Sequence, residues 1–350
     1  KFTDKNNWVY QADIQAQPGC AVKLTANYNS NIQYFIGAAG DEAGSSKIII
    51  NSSEESSTNK YTMRVVYDFK TNRLVAGWIP SNTEITENIT LGGDMLITRT
   101  HQENAQQITF NGGSIADIKH IYGVLTIKKE QMIGTEAEKY ADKVTNANYA
   151  KTMYWISFPF KVKISEIFGV DGYGQKWIMQ KYRGDLRAQK GWFKGDGTET
   201  FWEFMEKSDS LNAYEGYLFL IDANYFNTTD ADVWKNNATE ANFYFPSASG
   251  NIGIINKSSY PQTVLPHECK IDRKFEVTDS EGHKTTVSHK NTDSHWNVIG
   301  VPAFQNASAA TVPTDNKFKA FYEWDFEHNS YDVKVIVDDT EGKYHFKTMH

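Results

Sequence analysis

A chain of 350 residues with 36 basic and 43 acidic side chains carries a formal charge of −7, which excludes a dominant basic surface for nucleic acid or anionic lipid. With 40% apolar and 23% charged residues it has the composition of a packed protein rather than a disordered one, and at about 150 residues per domain its length allows two to three domains. Aromatic residues are in excess, with 20 Phe, 19 Tyr and 9 Trp against only 8 Pro, a balance that favours half-buried strands.

The first hundred residues read as successive strands. Trp8–Ile14, Cys20–Ala26, Ile32–Ile36 and Ile48–Ile50 are short apolar or alternating runs separated by Asn- and Ser-rich clusters. Tyr61–Tyr67 and Arg73–Ile79 flank Asp68-Phe-Lys-Thr-Asn72 and predict a hairpin. Pro80 ends its second strand because it cannot donate to a ladder. Met95–Thr98 and Gln107–Phe110 continue the β pattern. Ser114–Tyr122, following Gly112-Gly113, has the cap and spacing of a short helix. Gly134–Asn148 has the strongest helix propensity in the chain. The expected organisation is a β-rich domain over 1–113, a helical linker over 114–150, a second β-rich domain over 151–290 and a repeat-like, truncated β unit over 291–350. The fold class expected is all-β, mainly antiparallel β-sandwich-like units with one or two short linker helices.

A weak internal repeat supports the last division. Ile156-Ser-Phe-Pro159 matches Ile299-Gly-Val-Pro302 at an offset of 143. Each copy is followed, some twenty residues on, by an aromatic strand, Lys176–Tyr182 in the first and Phe321–Phe326 in the second. This spacing fits two related supersecondary units, or a chance match of a short motif, rather than a short-period solenoid. The longest uninterrupted apolar run, Tyr217–Ile221, falls far short of the ~20 residues of a membrane helix, so direct membrane insertion is not expected. The chain starts at Lys1 without a charged, apolar leader and reads as a processed protein or a piece of a longer one.

Tyr67–Pro80, His101–Phe110 and Tyr154–Phe160 resemble a recurring segment of very large surface proteins of Bacteroidetes, and Ser294–Pro302 is similar to a strand motif of exported modular proteins of those bacteria. The resemblance covers roughly residues 61 to 304. It implies export, an extracellular or outer cell-surface location and β-rich modules, with an adhesion-like role. It carries no catalytic signature that transfers to a residue here.

Local groupings of reactive residues are weak. Cys20 and Cys269 are too few for a disulfide scaffold or a zinc module, and fit either one long bridge or two separate thiols. Because they fall in different expected units, they are expected to be unbridged. His283, His289 and His295 recur at six-residue spacing, with His267 and Cys269 upstream. Successive members stand about 20 Å apart in one extended strand, so they read as scattered surface histidines on a polar hairpin unless turns gather them round a metal. Gly169–Gly174 and Lys194–Glu199 lack phosphate-loop and dinucleotide spacing and read as turns, with calcium at Asp171, Asp196 or Asp338-Asp339 the alternative. Glu199, Glu203 and Glu206, beside Trp192 and Trp202, are the best local candidates for paired catalytic carboxylates, against the ordinary reading of a solvated acidic face. Neither a Gly-x-Ser-x-Gly elbow nor a His-Glu-x-x-His pair occurs.

Most aromatics, including Trp155, Trp177, Phe219 and Trp296, lie in apolar strand patterns and are expected in the core. Trp192 and Phe193 differ, because Gly191, Gly195 and Gly197 surround them together with Asp196. Such a loop can present a flat ring beside polar groups, as sugar- and protein-binding sites do. The expected function is a non-catalytic module of a bacterial cell-surface protein, in adhesion or assembly. The alternative is a carbohydrate-binding module acting through exposed aromatics, with a glycoside-processing enzyme third. Trp192, Phe193 and Asp196 are the candidate ligand contacts, a glycan or another surface protein the expected partner, and no cofactor, metal or catalytic residue is assigned.

Overall fold

The computed structural model describes chiefly residues 9–16, 61–68, 73–81, 83–100, 105–132, 152–184, 201–222 and 239–259, with short strand segments elsewhere. Strands make up 61% of what it describes, so the fold is all-β as expected. Helical structure among the described residues is slight, as in the single turn Lys129–Met132. None of it is long and apolar enough to cross a membrane.

Two sheets organise the chain. The larger contains β1 (Thr3–Asp4), β2 (Val9–Ala16), β3 (Tyr61–Asp68), β4 (Arg73–Trp78), β6 (Asn88–Thr100), β8 (Ser114–Lys128), β13 (Glu240–Pro246) and β14 (Gly253–Asn256). Its order is β1-β2-β3-β4-β6-β8-β13, with β14 also paired to β8. The smaller has β9 (Met153–Ser157), β10 (Trp177–Tyr182), β11 (Trp202–Phe204) and β12 (Gly216–Ile221), in the order β9-β12-β10-β11. β5 (Thr83–Ile85) and β7 (Ile108–Phe110) pair apart from both. Further short hairpins include Phe321–Asp325 with Ser330–Lys334, over the second expected aromatic strand. The expected hairpin is β3 and β4, in register from Met63↔Trp78 to Asp68↔Arg73. β13 and β14 come from the stretch expected to form a separate domain, yet they pair with β8.

Most ladders are antiparallel, but the middle of the large sheet is parallel. β4 meets β6 at Gly77↔Asp94, and β6 runs beside β8 from Asn88↔Ser114 to Thr100↔Thr126. β5 and β7 are parallel too, from Thr83↔Ile108 to Ile85↔Phe110. Residues 83–100 and 108–126 therefore lie one over the other, corner included. At the corner the amides of Asn111 and Gly113 both donate to the Ile85 carbonyl, at 2.9 and 3.2 Å, and Ser114 Oγ donates to Asn88 Oδ1 at 2.7 Å. Gly113 is required by close approach, since a Cβ there would overlap the Glu87 backbone.

β8 corrects one expectation. Ser114–Tyr122 is not a helix but the first part of a 15-residue strand. Its ladders slip by one residue near Ile118, and Asp117 takes a left-handed φ of 54°. Extra residues of this kind change the spacing of inward side chains. Ile115, Ile118 and Ile121 thus all reach the core at a spacing of three, which imitates a helical stripe. The expected helix over Gly134–Asn148 lies outside the described residues, as do Cys20, Cys269 and Trp296.

The large sheet is buried on both faces. One face places Met63, Trp78, Ile97, Ile127 and Phe243 in a core shared with Tyr154, Trp177 and Phe219 of the smaller sheet. The other gathers Val9, Val66, Val75, Leu96, Val124 and Tyr244. On that second face the Gln11 amide nitrogen donates to the Tyr244 hydroxyl at 2.9 Å, and its oxygen accepts from Arg64 Nε at 3.0 Å. Arg64 also donates to both carboxylate oxygens of Asp13, at 2.8 and 2.9 Å. β2 and β13 stand far apart in the strand order, so a contact between Gln11 and Tyr244 requires the sheet to curl back on itself.

Candidate functional site

Trp192, Phe193 and Asp196 lie outside the described residues. The structure fixes the two strands from which their loop springs. β10 and β11 are adjacent and antiparallel, with Tyr182 opposite Trp202 and the Arg183 amide donating to the Phe201 carbonyl at 2.7 Å. Residues 184–200 therefore join neighbouring strands at one edge of the smaller sheet.

The root of that loop is aromatic. Alternation along β9 buries Tyr154 and Ile156, which leaves Trp155 on the opposite face and only half-buried. Along β10 it buries Trp177 and Met179 and leaves Tyr182 half-buried on the other side. Trp202 joins these two side chains, with ring centroids 5.1 Å from Trp155 and 5.2 Å from Tyr182. Trp155 is therefore not the core residue expected from its apolar run, whereas Trp177 and Phe219 are. At the end of β11, Phe204 is 41% exposed and lies near Tyr173, with centroids 6.0 Å apart. Tyr173 packs edge-on against Trp177 and donates its hydroxyl proton to the Met205 carbonyl.

The glycine-rich stretch before β10 is a turn, as its composition suggests. Gly169, Gly172 and Gly174 all have positive φ, and the Asp171 carbonyl accepts from Trp177 Nε1 at 3.1 Å. Among the described residues no three His, Cys, Asp or Glu side chains are grouped to hold a metal ion. Asp196, Asp338, Asp339, His267, His283, His295 and Cys269 lie outside them. His289 is placed only as a strand residue opposite Arg273.

Of the three candidate carboxylates, Glu199 is outside the described residues. Glu203 accepts from Lys181 Nζ and Arg183 Nη1, each at 3.0 Å, and these bonds hold its carboxyl below the usual range. A carboxylate kept ionised in this way is poorly suited to donate a proton. The Glu206 amide donates to Asp209 Oδ2 at 2.8 Å, within a turn.

One polar residue in the interior escaped the sequence reading. Arg99, 2% exposed, donates from Nη1 to the Trp155 carbonyl at 2.8 Å. Burial lowers its pKa to about 9. Its signal was a cation within the apolar run Met95-Leu-Ile-Thr-Arg-Thr100. It ties β6 to β9, and so the large sheet to the strand that carries Trp155.

Comparison with known protein families, with curated protein sequences and with solved structures found no match.

Proposed function

We propose that this chain is a non-catalytic module of an exported bacterial cell-surface protein, serving adhesion or assembly. The observation that carries this reading is the placement of its aromatic excess. Phe243 lies 4.8 Å from Phe219 and 5.4 Å from Trp177, and Phe158 lies 4.9 Å from Phe245, so rings lock the edge of one sheet to the other. A rigid β framework of this kind suits presentation of loops to a partner. The segments that resemble bacterial surface proteins fall on the same framework: Tyr67–Pro80 includes β4, and Tyr154–Phe160 includes most of β9. The test is retention of beads bearing this chain on surfaces coated with glycans or host surface proteins, alongside an assay for release of reducing sugar. Retention without release is the expected result. Sugar release, or no retention on any coating, counts against the proposal.

A second reading, a carbohydrate-binding module, is favoured by the half-exposed rings of Trp202 and Tyr182 at the root of the loop carrying Trp192, Phe193 and Asp196. One ring stacked on a sugar contributes on the order of 1 kcal/mol beyond area burial, so binding would be weak and depend on multivalency. A glycan array comparing the chain with its Trp192→Ala variant separates the readings. Equal binding by a folded variant removes Trp192 from the site.

A further inference from the structure

We propose that the end of β9 is the docking surface for the C-terminal unit of this same chain, residues 291–350, and that Gly300 is its contact point. Ser157 closes β9, an edge strand of the smaller sheet, yet it is 0% exposed. Gly300 is itself buried, and its amide donates to the Tyr214 carbonyl at 2.9 Å. Tyr214 is in turn tied to the end of the same strand, its amide donating to the Phe158 carbonyl at 2.9 Å. Tyr214 holds a left-handed φ of 68°, a conformation that a tyrosine keeps only where its surroundings fix it. The two hydrogen bonds, one to its amide and one to its carbonyl, do so.

The fit leaves no room for a side chain. A Cβ on Gly300 would stand 2.5 Å from Ser157 Cβ, 3.0 Å from Ser157 Oγ and 3.0 Å from the Tyr214 carbonyl carbon. The backbone at Gly300 lies outside the left-handed region, so its own conformation does not demand glycine. Close approach to Ser157 does. Ser157 and Gly300 are also the equivalent residues of the two matching motifs, Ile156–Pro159 and Ile299–Pro302. The segment that meets this surface at Gly300 is thus the one that carries the second copy of the motif.

The experiment measures amide hydrogen exchange at positions 214 and 300 in the full chain and in Gly300→Ala, Ser157→Gly and the double variant. In the unaltered chain the amide at 300 should exchange far more slowly than in an unstructured peptide. Gly300→Ala should speed it by about tenfold to a hundredfold, the range expected for forcing one methyl into a close-packed contact. Ser157→Gly in the same chain should restore most of the protection, because it removes the colliding atoms. An unprotected amide at 300 in the unaltered chain overturns the proposal even if the variants fail to fold. Equal loss with and without Ser157→Gly overturns it too, by showing that Gly300 answers to something other than Ser157.

Discussion

Truncating Phe243 to alanine tests whether the two sheets share one core. Phe243 is 0% exposed on β13, with its ring 4.8 Å from Phe219 and 5.4 Å from Trp177, both edge-on. Removing a fully buried phenylalanine costs about 3–5 kcal/mol, which combines lost transfer energy with a cavity the neighbours only partly fill. Edge-on ring pairs contribute about 0.5–1.5 kcal/mol each beyond their area, which places this site toward the upper part of that range. For a urea dependence of about 2 kcal/mol per molar, the midpoint should fall by roughly 2 M. Urea titrations followed by tryptophan emission and by far-ultraviolet circular dichroism should show both signals moving together, since Trp177 lies in the smaller sheet while Phe243 lies in the larger. Phe204→Ala, at a 41% exposed position, is the control and should shift stability by less than about 0.5 kcal/mol. A midpoint shift below about 0.5 M for Phe243→Ala, or a shift seen by one probe alone, would refute the shared core.

Burial raises the pKa of Tyr122, Tyr154, Tyr217 and Tyr244 in the folded chain, so the fold retains these protons after an unfolded chain has begun to lose them. Their contribution is complete below about pH 10 and declines above it, by about 1.4 kcal/mol per pH unit for each tyrosine. Arg99, lowered to about 9, acts with the opposite sign over that range, one group against four. Base titration of stability should therefore fall steeply above pH 10, and Tyr154→Phe should flatten the slope by about 1.4 kcal/mol per unit; an unchanged slope would remove Tyr154 from the account. Gly113→Ala should cost about 3 kcal/mol and lower the thermal midpoint by roughly 6–12 °C, because the backbone of Glu87 cannot move aside as a side chain would; a change under about 2 °C would mean the corners do not stack. Cys20 and Cys269 should both label in denatured, unreduced protein, and loss of both thiols in the monomer would show that they are bridged.

The candidate site was legible only in outline. Glycines round Trp192 mark a loop, and the structure sets that loop between β10 and β11, but Trp155 entered the sequence reading as core. Its run, Tyr154-Trp155-Ile156, is apolar at every position, so no polar residue shows which face turns outward. Only the partner strands decide, by burying Tyr154 and Ile156 together. Glu203 reads as a candidate acid until Lys181 and Arg183 come beside it. Lys181 lies directly across the β10–β11 ladder from Glu203, a relation that strand pairing creates and spacing along the chain does not express.

The same limit explains the misreading of β8. The hairpin β3–β4 was legible because both strands and their turn are contiguous, and Pro80 marks its end. β8 pairs with β6 on one side and with β13 and β14 on the other, the last two more than a hundred residues away in the chain. Local spacing of apolar residues reports a period only where the ladder is regular. Ile115, Ile118 and Ile121 fit a helical period because the strand slips past its neighbours near Ile118, and the slip takes its meaning from those neighbours. After the slip the strand resumes its alternation, with Ile121, Leu125 and Ile127 in the core shared with the smaller sheet and Tyr122 and Val124 on the opposite face. The stretch read as a helix is instead paired along both edges from its first residue, Ser114 lying opposite Asn88 of β6 and Asn256 of β14, so what rules out the helix is partners drawn from both halves of the chain.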